Sequence, residues 1–372
     1  MITTETINRI VGFTGNGLPV VSLYIRVPTD LSSRRAMVHS QVDSRLHEIR
    51  PTAEDHALGH DAMMSIRGDI DRIGEAVEEQ RWSPGAVALF SCSGRGFFEQ
   101  VQLPRGVRDR VIVDDTPWVR SMLAVLDEYH RCCVAVVHRN SARTWELYLD
   151  EMREAGTLRL SGDPGRNDHK ADELIKRHFR QVVTMLEELS RTDGLELLAI
   201  GGPRPELPRF LDFLPSDLRG LVAGTFTVDE ATFTVGDVKQ QASAIVGRYE
   251  RSEEERLVAE TVETAAAAGL AAVGLPPCLW AGSVAAVGHL MVQDGAIIPG
   301  VICDHDRWLA LAGQTCPLCE RPVRRVPDII DELIEVVIDE GGSIKHVSAD
   351  TVLKEHLVAA SLRFPLPPQP EG

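Results

Sequence analysis

The chain alternates between short apolar runs and longer stretches in which apolar residues return every three or four positions. "LPVVSLYIRVP" (18–28) is an apolar run closed by a proline and predicts a strand. Two helical stretches follow, around 36–49 and 57–80. In the second, Met64, Ile66, Ile70, Ile73 and Val77 recur at helical spacing and predict one buried face. "GAVALFSC" and "GFFEQVQLP" read as two strands joined at "SGR", a hairpin. "VRDRVIVDDTPWVRSMLAVLDEYH" then predicts a brief strand, a turn at "DDTP" and a helix that proline helps to start.

A second region opens with "CCVAVVHRNSARTWELYLDEM", two strands around the polar turn "RNSA". "SGDPGRND" is a turn-rich loop, and "HKADELIKRHFRQVVTMLEELSRT" is a long helix with Leu174, Ile175, Val182 and Leu186 along one side. "LELLAIGG" reads as a buried parallel strand ending in glycines. "ELPRFLDFLP" and "VKQQASAIVGRYERSEEERLVAETVETAAAAG" add helices, so this region is α/β. Near 265 the composition shifts to small residues. After a cysteine-rich stretch, "PDIIDELIEVVIDEGGSIKHVS" predicts a helix, a Gly-Gly stop and a strand. The tail "RFPLPPQPEG" is proline-rich and expected to be disordered. No internal repeat is apparent.

The 372 residues suit two or three domains, each able to bury its own core. No apolar run reaches the ~18 residues of a membrane span, and "MITTETINRIVGFTGNG" lacks the pattern of an export signal. A cytoplasmic protein without membrane contact is expected. Seven cysteines, an odd number, do not form a secreted disulfide framework, and Cys132 and Cys133 sit on an apolar run as packing residues. The net charge of −16 opposes coating of DNA. Any nucleic-acid contact must come from local basic segments.

Three of the seven cysteines lie in "ICDHDRWLALAGQTCPLCERPV" (302–323). Cys316 and Cys319 form a C-x-x-C with the shape of a zinc knuckle. The nearby upstream thiol is Cys303, followed by Asp304, His305 and Asp306. Asp306 stands where the second cysteine of a regular knuckle would be, whereas imidazole is the better zinc ligand. The expected set is Cys303, His305, Cys316 and Cys319 around a structural Zn2+, with Asp306 as the substitute fourth ligand. A degenerate ribbon held by packing alone is the alternative. A redox C-x-x-C lacks the strand that should lead into it, and no convergent base marks a catalytic zinc. One ion would staple a lobe too small to hold itself.

Basic residues crowd the mid-chain loop and helix: Arg166, His169, Lys170, Lys176, Arg177, His178 and Arg180. Lys176, Arg177 and Arg180 stand at i, i+1 and i+4, so two or three can meet phosphates from one face. Asp168, Asp172 and Glu173 temper the charge. A solvated face laced with pairs such as Asp172 with Lys176 is the other reading. Arg34 and Arg35 are a second basic pair, while Arg105, Arg108 and Arg110 lie along a strand and read as structural.

These pieces, in this order, resemble a known family. "VVSLYIRV", "LFSCSGRGFFEQVQLP", "VRDRVIVDDTPWVRSMLAVLDEY" and "VAVVHRNSARTWELYL" look like the bacterial branch of the archaeal and eukaryotic class-one release factor family. "CLWAGSVAAVGHLMV", the cysteine ribbon, "DELIEVVIDEGGSIKHVS" and "AASLRF" look like its third domain. The resemblance spans roughly 20–364. It implies a multidomain α/β chain of release-factor/Pelota-like architecture with a zinc-ribbon-like insertion. Residues 1–130 would face the decoding centre, 131–262 the peptidyl transferase centre, and 263–364 would carry the ribbon ahead of the tail 365–372.

The family's catalytic loop carries Gly-Gly-Gln. Here Gly-Gly occurs only at 201 and 341, neither followed by glutamine, so peptide release is not carried over. The corresponding loop is "SGDPGRNDHKADELIKRHF". It would contact ribosomal RNA through Gly165, Arg166, Asn167, His169, Lys170, Lys176, Arg177 and Arg180, with Arg34 and Arg35 contacting RNA from the first domain. The resemblance is nearest to ribosome-hibernation factors of that branch and their actinobacterial relatives. It implies a non-enzymatic occupant of the A site, with the 70S ribosome as partner and elongation factor Tu as a further one. Two other classes stay open: a peptidyl-tRNA hydrolase or RNA-cleaving relative using His169 or Asp168 as base, and a zinc-ribbon adaptor for another protein.

Overall fold

A computed structural model of the chain describes residues 4–30, 34–51, 59–79, 82–149, 151–160, 169–228 and 233–369. Two compact units form, Met1–Glu128 with Leu257–Gly372, and Tyr129–Arg256. The first and last of the three expected domains therefore share one unit, although each keeps its own sheet. A band of ion pairs, described below, and the packing of Ala124 on the core of the last part join them.

The amino-terminal part of the first unit comprises α1 (Thr4–Val11), β1 (Val20–Val27), α2 (Arg34–Glu48), α3 (His60–Glu79), β2 (Gly85–Cys92), β3 (Phe97–Leu103), β4 (Arg110–Asp114) and α4 (Arg120–Leu126). The sheet order is β3-β2-β1-β4, antiparallel throughout. Along β1, Val21, Leu23 and Ile25 face Val38, Val42 and Leu46 of α2 and Ile66, Ile70 and Ile73 of α3. Met64, expected on that buried face, is 51% exposed. It stands two residues before Ile66 and so projects from a different side of the helix. The hairpin at "SGR" is a single 3-10 turn closed by Gly96 at φ 67°, a left-handed position that glycine takes without strain.

The second unit contains β5 (Cys132–Val137), β6 (Ser141–Tyr148), β7 (Glu151–Arg159), α5 (His169–Asp193), β8 (Leu197–Gly202), α6 (Glu206–Leu211), α7 (Ser216–Gly220), β9 (Val222–Thr227) and most of α8 (Val235–Ala266). Its sheet order is β7-β6-β5-β8-β9, with β8 and β9 parallel to β5 and the hairpins antiparallel. The apolar run of β5 is explained by burial on both faces. Cys133, Ala135 and Val137 pack with Ile175, Phe179, Val182 and Leu186 of α5. Cys132, Val134 and Val136 pack with Val238, Ala242 and Ile245 of α8. Both cysteines are packing residues, and burial pushes the Cys132 thiol up to about 12.

Leu174 departs from its expected place on the buried stripe and is 37% exposed, while Phe179 takes the central position. β7 was not expected from the sequence. It is an edge strand, exposed along most of its length, so it carries no apolar alternation to read.

The last part contains β10 (Ala271–Val273), α9 (Leu275–Ser283), β11 (Val287–Gln293), β12 (Gly300–Ile302), β13 (Leu309–Ala310), β14 (Arg324–Val326), α10 (Ile329–Asp339), β15 (Ser343–Val347), α11 (Leu353–His356) and β16 (Val358–Leu362). A four-stranded sheet runs β10-β16-β11-β15, and β13-β12-β14 form a separate small sheet. Ile329, Ile330, Leu333, Val336 and Val337 of α10 pack with Leu290 and Ala360 of the larger sheet. Asp328 caps α10 by accepting from the Ile330 N–H at 3.0 Å, and Gly341 at φ 74° ends it. The tail is ordered further than expected: the Trp280 indole donates to the Pro367 carbonyl at 2.8 Å, and Leu366 packs on the same core. A buried indole N–H needs an acceptor, and the proline-rich segment supplies one. No helix among the described residues is long and apolar enough to cross a membrane.

Candidate metal centre and basic helix

Two turns of the same shape build the centre. In the first, the Arg307 N–H donates to the Cys303 carbonyl at 2.8 Å, and Arg307 is left-handed at φ 56°. In the second, the Glu320 N–H donates to the Cys316 carbonyl at 2.8 Å, and Glu320 sits at φ 61°. Cys303-Asp304-His305-Asp306 thus repeats Cys316-Pro317-Leu318-Cys319 position for position. Asp306 occupies the place of Cys319, and His305 occupies the place of Leu318.

That correspondence favours Asp306 over the expected His305 as the fourth ligand. Cys303, Asp306, Cys316 and Cys319 offer ligand atoms that all lie within 4.8 Å of one another. The imidazole of His305 is half exposed, and its Nδ1 lies 2.9 Å from Asp306 Oδ1. The other carboxylate oxygen, Oδ2, lies 3.4 Å from Cys316 Sγ and 4.0 Å from Cys303 Sγ. Imidazole is the better ligand in isolation, but in a knuckle the third position after the first cysteine turns inward and the second turns out. Backbone geometry outweighs ligand preference.

The four groups fit a tetrahedral ion. Zinc–sulfur bonds of ~2.3 Å imply sulfur–sulfur edges of ~3.8 Å, and Cys303 Sγ to Cys319 Sγ is 3.6 Å. The Asp306 N–H also points at Cys303 Sγ, at 3.5 Å. The electrostatics agree. Asp306 is held below the usual carboxylate range by the Cys319 thiol and then His305, and its carboxylate in turn pushes that thiol up to about 12. Such mutual opposition between acidic groups is what a divalent cation relieves. Cys303 and Cys316 are buried and pack with Trp280, Val301 and Trp308, which shields those two thiols from water, while Asp306 and Cys319 are half-buried.

The basic helix divides differently from its sequence reading. Gly165, Arg166, Asn167 and Asp168 lie outside the described residues, as do the side chains of His169 and Lys170. Lys176 pairs with Glu173 at 2.8 Å rather than with Asp172, which instead meets Arg209 at 3.3 Å. His178 is buried and leaves the basic face; burial lowers its pKa and keeps it neutral. Arg177 and Arg180 are exposed and form no ion pair among the described residues.

Arg34 and Arg35 are engaged by the backbone. Arg34 donates to the carbonyls of Pro28, Thr29 and Trp82, and Arg35 donates to that of Glu78. They tie α2 to its neighbours. Arg108 and Arg110 pair with Glu332 and Glu335, as structural arginines should. Neither Gly-Gly pair lies on an open loop. A Cβ at Gly201 would stand 2.5 Å from the Phe226 ring and one at Gly202 would stand 2.6 Å from the Val137 carbonyl oxygen, while Gly341 ends α10.

The model of Bacterial archaeo-eukaryotic release factor family 10 matches residues 117–246. Among solved structures, an archaeal translation termination factor, aRF1, is similar over 98% of this chain and 99% of that chain, at 14% identity and a TM-score of 0.26. Archaeoglobus fulgidus Pelota is similar over 78% and 82%, at 17% identity and a TM-score of 0.39. Archaeal Pelota from a model of its ribosome-bound form with ABCE1 is similar over 98% and 94%, at 15% identity and a TM-score of 0.46. No curated protein matches the chain.

Proposed function

We propose that this chain is a ribosome-binding factor that fills the A site without hydrolysing an ester, and so protects idle ribosomes. The observation that carries the reading is the match of a release-factor family model to residues 117–246, a span that largely coincides with the compact unit Tyr129–Arg256. That unit presents Arg177 and Arg180 on α5, directly after the loop that would reach RNA. Both guanidinium groups are exposed and outside any ion pair among the described residues, although Glu173 feels the charge of Arg180, and exposed guanidinium groups attract phosphate, which matters in a chain of net charge −16.

The non-catalytic part of the reading rests on the glycines. A release loop needs Gly-Gly-Gln on flexible backbone. Here both Gly-Gly pairs serve packing or helix termination, and neither precedes glutamine. The mechanism is steric: phosphate contacts fix the register of the protein, and no bond is broken. Balon, the bacterial hibernation factor, is the proposed functional counterpart, with elongation factor Tu as a further partner. Zinc is the proposed metal, held by Cys303, Asp306, Cys316 and Cys319 as a structural staple.

Cosedimentation with 70S ribosomes from starved cells tests this. The protein should pellet with ribosomes at low salt and release no peptide from a loaded particle. Remaining in the supernatant, or turning over peptidyl-tRNA, overturns it.

A further inference from the structure

The acidic face of α10 is shared between two groups of arginines. Glu332 and Glu335 are buried, and buried carboxylates must be paired. Glu332 divides its two oxygens: Oε2 meets Arg108 at 2.8 Å, and Oε1 meets Arg324 at 3.4 Å. Asp339 does the same, with Oδ1 at 3.9 Å from Arg110 and Oδ2 at 3.5 Å from Arg307. Arg110 also pairs with Glu335, and Arg120 donates to the Asp339 carbonyl. Arg108 and Arg110 belong to the amino-terminal sheet and its approach, whereas Arg307 and Arg324 belong to the metal lobe. Arg307 is the residue directly after the ligand Asp306, in the left-handed position that closes the first knuckle. Arg324 begins β14 and is held in place by Asp304, the residue after the ligand Cys303, at 3.2 Å.

We propose that metal binding at Cys303, Asp306, Cys316 and Cys319 clamps the amino-terminal sheet to the last sheet through α10. The filled knuckle fixes Arg307 and Arg324, and these neutralise one oxygen each of Asp339 and Glu332. The carboxylates are thereby held, through their other oxygens, in the positions that Arg108 and Arg110 require. With the knuckle open, each carboxylate keeps a single arginine and gains freedom to turn, and the grip on β4 loosens. Metal occupancy thus reaches a strand more than 180 residues earlier in the chain. This inference does not depend on the ribosomal reading.

Hydrogen exchange read by mass spectrometry on the full-length chain tests it. The zinc-loaded protein is compared with protein stripped by a chelator, and with the zinc-loaded double variant Arg307→Gln, Arg324→Gln, whose four ligands are intact. That variant loses the pairs of Arg307 with Asp339 and Glu340 and of Arg324 with Glu332 and Asp304, all partly exposed, so amides of 105–114 should exchange about threefold to tenfold faster while one zinc per chain is retained. The stripped protein should show at least the same acceleration there, besides opening of 303–323. Unchanged exchange at 105–114 in the double variant overturns the clamp, even if stripping unfolds the lobe. A chain that takes up no zinc overturns it as well.

Discussion

Replacing Asp306 by alanine separates the two possible fourth ligands. The carboxylate turns Oδ2 toward the Cys316 and Cys303 thiols and Oδ1 toward His305, so Asp306 bridges the metal position and the imidazole. Binding of structural zinc by four ligands is worth about 10–16 kcal/mol at neutral pH, so an average ligand carries about 2.5–4 kcal/mol. Asp306→Ala should therefore weaken zinc binding by about 10²- to 10³-fold. His305→Ala removes only the group that orients the carboxylate. Outer-sphere partners are worth about 10- to 100-fold, and the exposure of His305 puts it at the low end, near tenfold. Asp306→Cys restores a regular four-thiolate ribbon and should bind zinc more tightly than the parent chain. Competition against a chromophoric chelator reads all three affinities. If His305→Ala costs more than Asp306→Ala, the correspondence of the two knuckles has assigned the wrong ligand.

Three further outcomes are expected. Leu333→Ala empties the centre of the last core, where the side chain is fully buried against Gly282, and should cost about 2–5 kcal/mol in denaturant unfolding; a loss below about 1 kcal/mol would mean that core is loosely packed. Burial raises the pKa of Asp69, although Ser93 and Ser91 donate to its carboxylate. Its contribution is thus full below the unfolded value of ~3.9 and is lost as pH rises through the higher folded value. The melting temperature of Asp69→Asn, relative to the parent, should accordingly climb from about pH 4 to pH 7, and a flat difference contradicts the assignment. Removing Arg177 and Arg180 together should weaken ribosome binding and lower the steepness of its salt dependence by about two counterions, whereas an unchanged salt slope places RNA elsewhere on the surface.

Much of the fold was legible because burial leaves a local periodic trace. The double-faced burial of β5 appears as the unbroken run "CCVAVV", and α10 carries its own capping aspartate and terminating glycine. Stretches whose burial is one-sided or absent were harder. β7 has mostly wet faces and no alternation, and Met64 and Leu174 are apolar residues just off the buried stripe. The tail looked free because prolines remove donors, yet its carbonyl at Pro367 is an acceptor for Trp280.

The sequence by itself determined which segments become strands and helices, that three thiols gather within one short stretch, and that no Gly-Gly-Gln exists. These are properties of neighbouring residues, and neighbours constrain one another through backbone geometry alone. Only the tertiary structure decided that Asp306 and not His305 turns inward, that Arg34 and Arg35 are taken up by carbonyls while Arg177 and Arg180 stay open, and that two sheets far apart in the chain share the acids of α10. A ligand or an ion pair is chosen by distance in space, and charge carries no periodic signal that reveals which distant partner will be brought near.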